Sequence, residues 1–210
     1  MRVKICGITS PVDAELALSH GASAIGLIFA EGSKRRVDLA AAREIVAATG
    51  PFAYRVGVFR NQPLAEVLAT ADTLRLEAVQ LHGSEDAGYV AAVGRERTVI
   101  KALSHHDGMQ PSELDAWPAD FVLLDAAVPG SGVAFDWNSA AAMAGHPKLV
   151  LAGGLTPHNV TEAIRIFRPL AVDVASGVES EPGRKSPALV RSFMEAATGH
   201  KQVSTGGLAY

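Results

Sequence analysis

Eight short apolar runs recur along the chain, each followed by a stretch of about ten residues or more that is amphipathic or turn-like. The runs predict strands at Val3–Cys6, Ala24–Phe29, Tyr54–Phe59, Ala78–Leu81, Thr98–Ala102, Phe121–Asp125, Leu149–Ala152 and Ala171–Val174. Most lack the polar and apolar alternation of a half-solvated sheet, so they read as strands covered on both faces. Helices are predicted over Val12–Ser19, Leu39–Ala48, Leu64–Ala71, Asp86–Val93, Asn138–Met143, His158–Phe167 and Ala188–Ala197. Ser10-Pro11, Gln62-Pro63, Thr156-Pro157 and Ser186-Pro187 each set a polar residue and a proline at a helix entrance. Ser104 to Pro118 is poorly helical, and a short or irregular connection is expected there.

Such alternation leaves a closed (β/α)8 barrel or an open doubly wound sheet. Eight short units with no Gly-x-Gly-x-x-Gly turn after the first strand favour the barrel. A chain of 210 residues, 48% hydrophobic, fits one domain. The expected organisation is a catalytic barrel over residues 1–197 and a flexible, polar, glycine-bearing tail over 198–210.

Several classes of function are disfavoured. No uncharged apolar stretch is long enough to span a membrane. Met1-Arg2-Val3-Lys4 leads straight into the first strand, leaving no room for a secretory leader. One cysteine cannot form an internal disulfide, and a cytoplasmic location is expected. A net charge of -3 argues against nucleic acid as a partner. The basic cluster Lys34-Arg35-Arg36 acquires meaning only from its position.

In a (β/α)8 barrel all strands end at one face, where active sites sit. Cys6, Arg35, His82, Asp125, Gly153-Gly154 and Ser176-Gly177 all follow strand ends. A lone cysteine is more often inert than reactive. Asp125 is a stronger candidate, since a carboxylate ending an apolar strand is costly to bury unless it is paired or used. His82 serves a ligand or a structural hydrogen bond equally well. Histidines and carboxylates fall at unrelated strand ends without close ligand spacing, so no metal is expected. The turns Ala152-Gly153-Gly154-Leu155 and Ala175-Ser176-Gly177-Val178 leave backbone amides uncovered after strands seven and eight. Barrels frequently bind phosphate there.

Together these residues resemble a known family. Lys4-Ile5-Cys6-Gly7-Ile8-Thr9, Ser33-Lys34-Arg35, Arg55-Val56-Gly57-Val58-Phe59, Gln80-Leu81-His82-Gly83, Leu123-Leu124-Asp125, Phe135-Asp136-Trp137, Ala152-Gly153-Gly154-Leu155 and Val172-Asp173-Val174-Ala175-Ser176-Gly177-Val178-Glu179 are similar to the signature blocks of phosphoribosylanthranilate isomerase, in the family's order. The resemblance implies a single-domain (β/α)8 TIM barrel of the ribulose-phosphate-binding type. It further implies the Amadori rearrangement of N-(5-phosphoribosyl)anthranilate to 1-(2-carboxyphenylamino)-1-deoxyribulose 5-phosphate in tryptophan biosynthesis, without cofactor or metal, by a monomer or homodimer. By that similarity Asp125 is the general acid and Cys6 the general base. Phosphate falls to Gly153, Gly154, Ser176 and Gly177, with Asp173 near the same rim, and His82 is counted among the substrate-binding residues. Arg35 takes the anthranilate carboxylate, because it fits the pattern serine, any residue, arginine. Asp125 must then hold a proton. Cys6 needs its ionisation shifted downward, since a thiol at about 8.5 is only a few per cent ionised at neutral pH.

Two departures from the family pattern stand out. The loop Ala126 to Gly132 is short and carries Pro129 where a glycine is frequent, which stiffens a segment expected to close over substrate. Ala175 stands where serine is common, removing one hydroxyl near the phosphate. Alternative readings are a histidine-pathway or dual-substrate phosphoribosyl isomerase, indole-glycerol phosphate synthase, and a noncatalytic phosphate-ligand or thiol sensor. Cys6 where the first expects a carboxylate, the lack of an N-terminal extension with catalytic lysines for the second, and Cys6 together with Asp125 for the third argue against them.

Overall fold

Strand β1 (Arg2–Cys6) pairs in parallel with β2 (Ala24–Ile28) on one side and with β8 (Ala171–Val174) on the other, so the sheet closes on itself. Between them run β3 (Arg55–Phe59), β4 (Ala78–Leu81), β5 (Thr98–Ser104), β6 (Phe121–Asp125) and β7 (Leu149–Leu151), each parallel to its neighbours. This is the expected eight-stranded barrel. It is seen in a computed structural model that describes residues 1–125, 137 and 139–199. The connecting helices are α1 (Pro11–Ser19), α2 (Leu39–Thr49), α3 (Leu64–Leu74), α4 (Ala87–Gly94), α5 (Pro111–Asp115), α6 (Val160–Phe167) and α7 (Pro187–Thr198).

The helix entrances are built by side-chain caps. Ser10, Asp38, Asp86 and Ser186 each accept the backbone N–H three residues on, satisfying a donor that the first helical turn leaves without a partner. At Thr156-Pro157 the helix starts later than expected. Asn159 is the N-cap of α6, and its side chain accepts from Thr156 N and donates to Gly154 O.

Strand alternation sorts the residues into two cores. Val3, Ile5, Ile25, Leu27, Val79, Leu81, Val122, Leu124, Leu149, Leu151, Val172 and Val174 face the helices. Val56, Ala78, Ile100, Ala102, Leu123, Val150 and Ala152 fill the barrel interior. Each fully buried aliphatic side chain contributes about 1.5–3 kcal/mol relative to exposure. The same alternation turns Lys4, Cys6, Gln80, Asp125 and Asp173 into the interior, toward the C-terminal ends of the strands.

Strand β5 runs two residues past the expected end, because β6 continues the ladder to Asp125, paired with Ser104. The connection after β5 contains the five-residue α5. After β6, the described residues form a 3-10 turn over Ala141–Met143 where a helix from Asn138 was expected. Gly145, at φ +76, donates to Phe167 O and turns the chain toward β7. Asn138, the Pro129 loop, Phe135-Asp136 and the segment 200–210 lie outside the described residues. After β8 a 3-10 turn, Ser176–Val178, leads into a small hairpin of β9 (Glu179–Glu181) and β10 (Arg184–Lys185), which the sequence did not signal.

Candidate active site

All nine residues singled out in the sequence, Cys6, Arg35, His82, Asp125, Gly153, Gly154, Asp173, Ser176 and Gly177, line one cavity of about 850 Å³ at the C-terminal mouth of the barrel. Cys6 ends β1 and Asp125 ends β6, and both are nearly buried, at 5% and 7% exposure. Gly26 on β2 is the direct neighbour of Cys6. A Cβ on Gly26 would lie 2.6 Å from Cys6 Sγ and 3.1 Å from Lys4 Nζ, so the glycine leaves the space into which both groups project.

Lys4 is fully enclosed, with its Nζ 2.9 Å from Asp173 Oδ1 on the adjoining strand. Burial opposes its charge, but Asp173 and then Cys6 outweigh burial, holding Lys4 protonated above the ordinary lysine range. At Cys6 the balance runs the other way. Burial pushes the thiol up, the Lys4 ammonium pulls it down, and Asp173 pushes it up again. The net shift is upward, which corrects the downward shift expected from the sequence. A strand-end position suggested an exposed thiol, whereas this one is enclosed, and desolvation disfavours the thiolate.

His82 follows β4 and turns toward Asp125, its Nε2 3.3 Å from Oδ2, near enough for an ion pair but outside hydrogen-bond geometry. Its Nδ1 lies 3.1 Å from Nε2 of the buried Gln80.

Arg35 packs across Gly7, where φ is +73 and a Cβ would lie 2.5 Å from Arg35 Cδ. Its guanidinium meets Glu179 fork to fork, Nε to Oε1 at 2.8 Å and Nη2 to Oε2 at 2.7 Å. This pair was not foreseen. It occupies one edge of the guanidinium and leaves the Nη1 edge for another carboxylate. Glu179 also accepts from Lys185 Nζ at 2.8 Å. Lys185 donates further to the backbone carbonyls of Cys6 and Ala175, tying the hairpin to the end of β1.

Gly153 and Gly154 take φ +82 and +67, a conformation other residues rarely adopt. Gly177 presses against the β7 loop so closely that a Cβ would overlap Leu155 O. The two glycine turns are thereby held side by side, a backbone arrangement suited to an anion. Lys4, Glu179 and Lys185 went unassigned in the sequence. A lysine in the apolar run Val3–Cys6 and an aspartate in Ala171–Val174 were the available signal for the first, whereas Glu179 and Lys185 lie outside any periodic pattern.

Residues 3–196 match the model of a protein family described as N-(5'phosphoribosyl)anthranilate (PRA) isomerase. The N-(5'-phosphoribosyl)anthranilate isomerase of Geobacter metallireducens is 46% identical over 201 residues, covering 94% of this chain and 98% of the relative. The crystal structure of phosphoribosyl anthranilate isomerase from Thermus thermophilus superposes with a TM-score of 0.88 at 45% identity, over 95% of this chain and 99% of that one. A crystal structure of the same enzyme in complex with reduced 1-(o-carboxyphenylamino)-1-deoxyribulose 5-phosphate gives a TM-score of 0.84 at 38% identity, over 95% and 100% of the two chains. Sequence and fold thus agree, and the chain belongs to the N-(5'-phosphoribosyl)anthranilate isomerase family.

Proposed function

We propose that the protein isomerises N-(5-phosphoribosyl)anthranilate to 1-(2-carboxyphenylamino)-1-deoxyribulose 5-phosphate in tryptophan biosynthesis, with Asp125 as general acid and Cys6 as general base. The observation that carries this reading is the shared cavity. A thiol and a carboxylate at the ends of β1 and β6 open into the same space as two adjoining glycine turns and an arginine. The proposed substrate has a phosphate at one end and a carboxylate at the other, and these two features match its charges.

The chemistry asks for one proton donor and one acceptor. Asp125 delivers a proton to the ribose ring oxygen as the bond from that oxygen to C1 breaks, and the anthranilate nitrogen supplies the electrons for a C1–N double bond. Cys6, as thiolate, then removes the proton on C2. The electrons of that C–H bond form a C1–C2 double bond, and those of the C1–N double bond return to nitrogen. The resulting enolamine tautomerises to the ketone. The amides of Gly153, Gly154, Ser176 and Gly177 hold the phosphate, with Asp173 beneath that rim and Arg35 holding the carboxylate. His82 lies beside the acid, its Nε2 3.3 Å from Asp125 Oδ2, and is assigned to substrate binding.

The test is the loss of anthranilate-ribosyl fluorescence when the purified protein meets freshly generated substrate, with Cys6→Ser and Asp125→Asn alongside. Turnover by the wild type and severe loss in both variants is expected. A folded wild type that leaves this substrate untouched but turns over the histidine-pathway aldose would overturn the reading.

A further inference from the structure

A buried lysine in the barrel interior serves no packing need that an apolar side chain would not meet, since a buried ion pair is often no more stabilising than well-packed hydrophobic residues. Lys4 nevertheless stands directly below Cys6 on β1, and the space made by Gly26 admits both head groups. Three other charged groups face the thiol. Asp173 approaches from β8, Lys185 from β10 and Arg35 from the loop after β2.

Their remaining hydrogen-bond capacity separates them. Lys185 has three N–H donors and three acceptors, Cys6 O, Ala175 O and Glu179 Oε1. Arg35 commits one edge to Glu179. Lys4 gives one hydrogen bond to Asp173 Oδ1, and its Nζ shares with the Cys6 sulfur the space left by Gly26. Of the two lysines that face the thiol, it is the one with donors left for a sulfur anion.

We propose that Lys4 is a positioning residue for the isomerisation: fixed by Asp173, its ammonium compensates the negative charge on Cys6 when the thiol has released its proton. This rests on the reading of Cys6 as the general base. The enclosed site disfavours a bare thiolate, and Lys4 supplies the compensation that solvent would otherwise give. Asp173 holds the ammonium in place while partly offsetting its charge.

Cys6 is the sole cysteine, so ultraviolet absorbance of the thiolate during a pH titration reads this group alone. The full-length wild type, Lys4→Met, Lys4→Arg and Asp173→Asn would be titrated, with Cys6→Ser as the blank and circular dichroism as the check on folding. Lys4→Met is expected to raise the ionisation midpoint by about one pH unit or more, a roughly tenfold loss of thiolate at a given pH. Lys4→Arg should restore much of it, and Asp173→Asn should move the midpoint down. The acid limb of the kcat profile should follow in each case. An unchanged midpoint in folded Lys4→Met would overturn the proposal. If that variant does not fold, an unshifted midpoint in folded Lys4→Gln does so instead. The outcome is separable from the assignment of the base, because titration requires no turnover. Full activity in Cys6→Ser would remove the base, and with it the role of Lys4 in catalysis, even if the midpoints moved as expected.

Discussion

Arg35 and Glu179, 144 residues apart, form a two-bond fork at 2.8 and 2.7 Å that joins the loop after β2 to the hairpin after β8. The fork presets the guanidinium plane toward the cavity, and a lysine cannot reproduce two parallel bonds from one plane. Arg35→Lys is therefore expected to raise KM about tenfold, in line with the loss of one charge-assisted hydrogen bond, and to change kcat little. Arg35→Ala should raise KM further. Steady-state kinetics on the anthranilate substrate decide the matter, and a fall in kcat at constant KM would move Arg35 from binding to chemistry.

Gly26→Ala should separate catalysis from folding. The added methyl meets Cys6 Sγ at 2.6 Å and Lys4 Nζ at 3.1 Å. Overpacking of this kind costs about 1–3 kcal/mol. The protein is expected to fold with a lowered urea midpoint, while kcat falls about tenfold or more because both groups must shift. Retention of full kcat would show that the position of the thiol tolerates displacement.

Lys101 and Glu85 form a second buried pair at 2.7 Å, each side chain only 2% exposed. Lys101 also donates to Gly83 O, and Glu85 accepts from Asn61 N and Gly83 N, so the pair fastens the loops after β3 and β4. Removing one partner leaves a buried charge. Lys101→Met should destabilise the fold by about 3–5 kcal/mol, and adding Glu85→Gln should recover part of that loss. Urea unfolding of the two variants measures both effects.

Acid should unfold the protein through its carboxylates. At Glu85 burial opposes ionisation but is outweighed by Asn61 N–H and Lys101, and at Glu179 it is outweighed by Arg35 and Lys185, so both stay below their usual range. The folded state then binds fewer protons than the unfolded state, and stability rises with pH through this window. The contribution is complete above the unfolded value of about 4.3 and is lost as pH falls through the depressed folded values. Urea midpoints measured downward from neutrality should drop below about pH 4.3. Glu85→Gln should flatten that drop, and an unaltered slope would place the acid sensitivity elsewhere.

Strand placement was legible because apolar runs such as Ala78–Leu81 and Phe121–Asp125 coincide with the observed strands. Barrel topology then brought the candidate residues into one cavity without any contact being foreseen. Side-chain direction was harder to read. Strands covered on both faces hide their alternation, so the inward turn of Lys4 and its pairing with Asp173 went unnoticed. The hairpin from Glu179 to Lys185 is short and polar, and its role depends on partners 144 and 179 positions away. The 3-10 turn over Ala141–Met143 replaced an expected helix because the alanine-rich segment promised more helix than the chain builds before Gly145. The ionisation of Cys6 was misjudged because enclosure is a property of the assembled mouth, beyond the reach of one strand end.

The pairing of β1 with β8 sets Lys4 against Asp173 across 169 residues of chain. Lys185 reaches Cys6 O from still farther along. Contacts of such sequence separation form late, after most of the entropic cost of ordering the chain has been met. On a ribosome, a nascent chain would carry its thiol for most of its synthesis with Lys4 not yet fixed by Asp173 and Lys185 not yet made. The surroundings of Cys6 are complete only when the first strand has met the last.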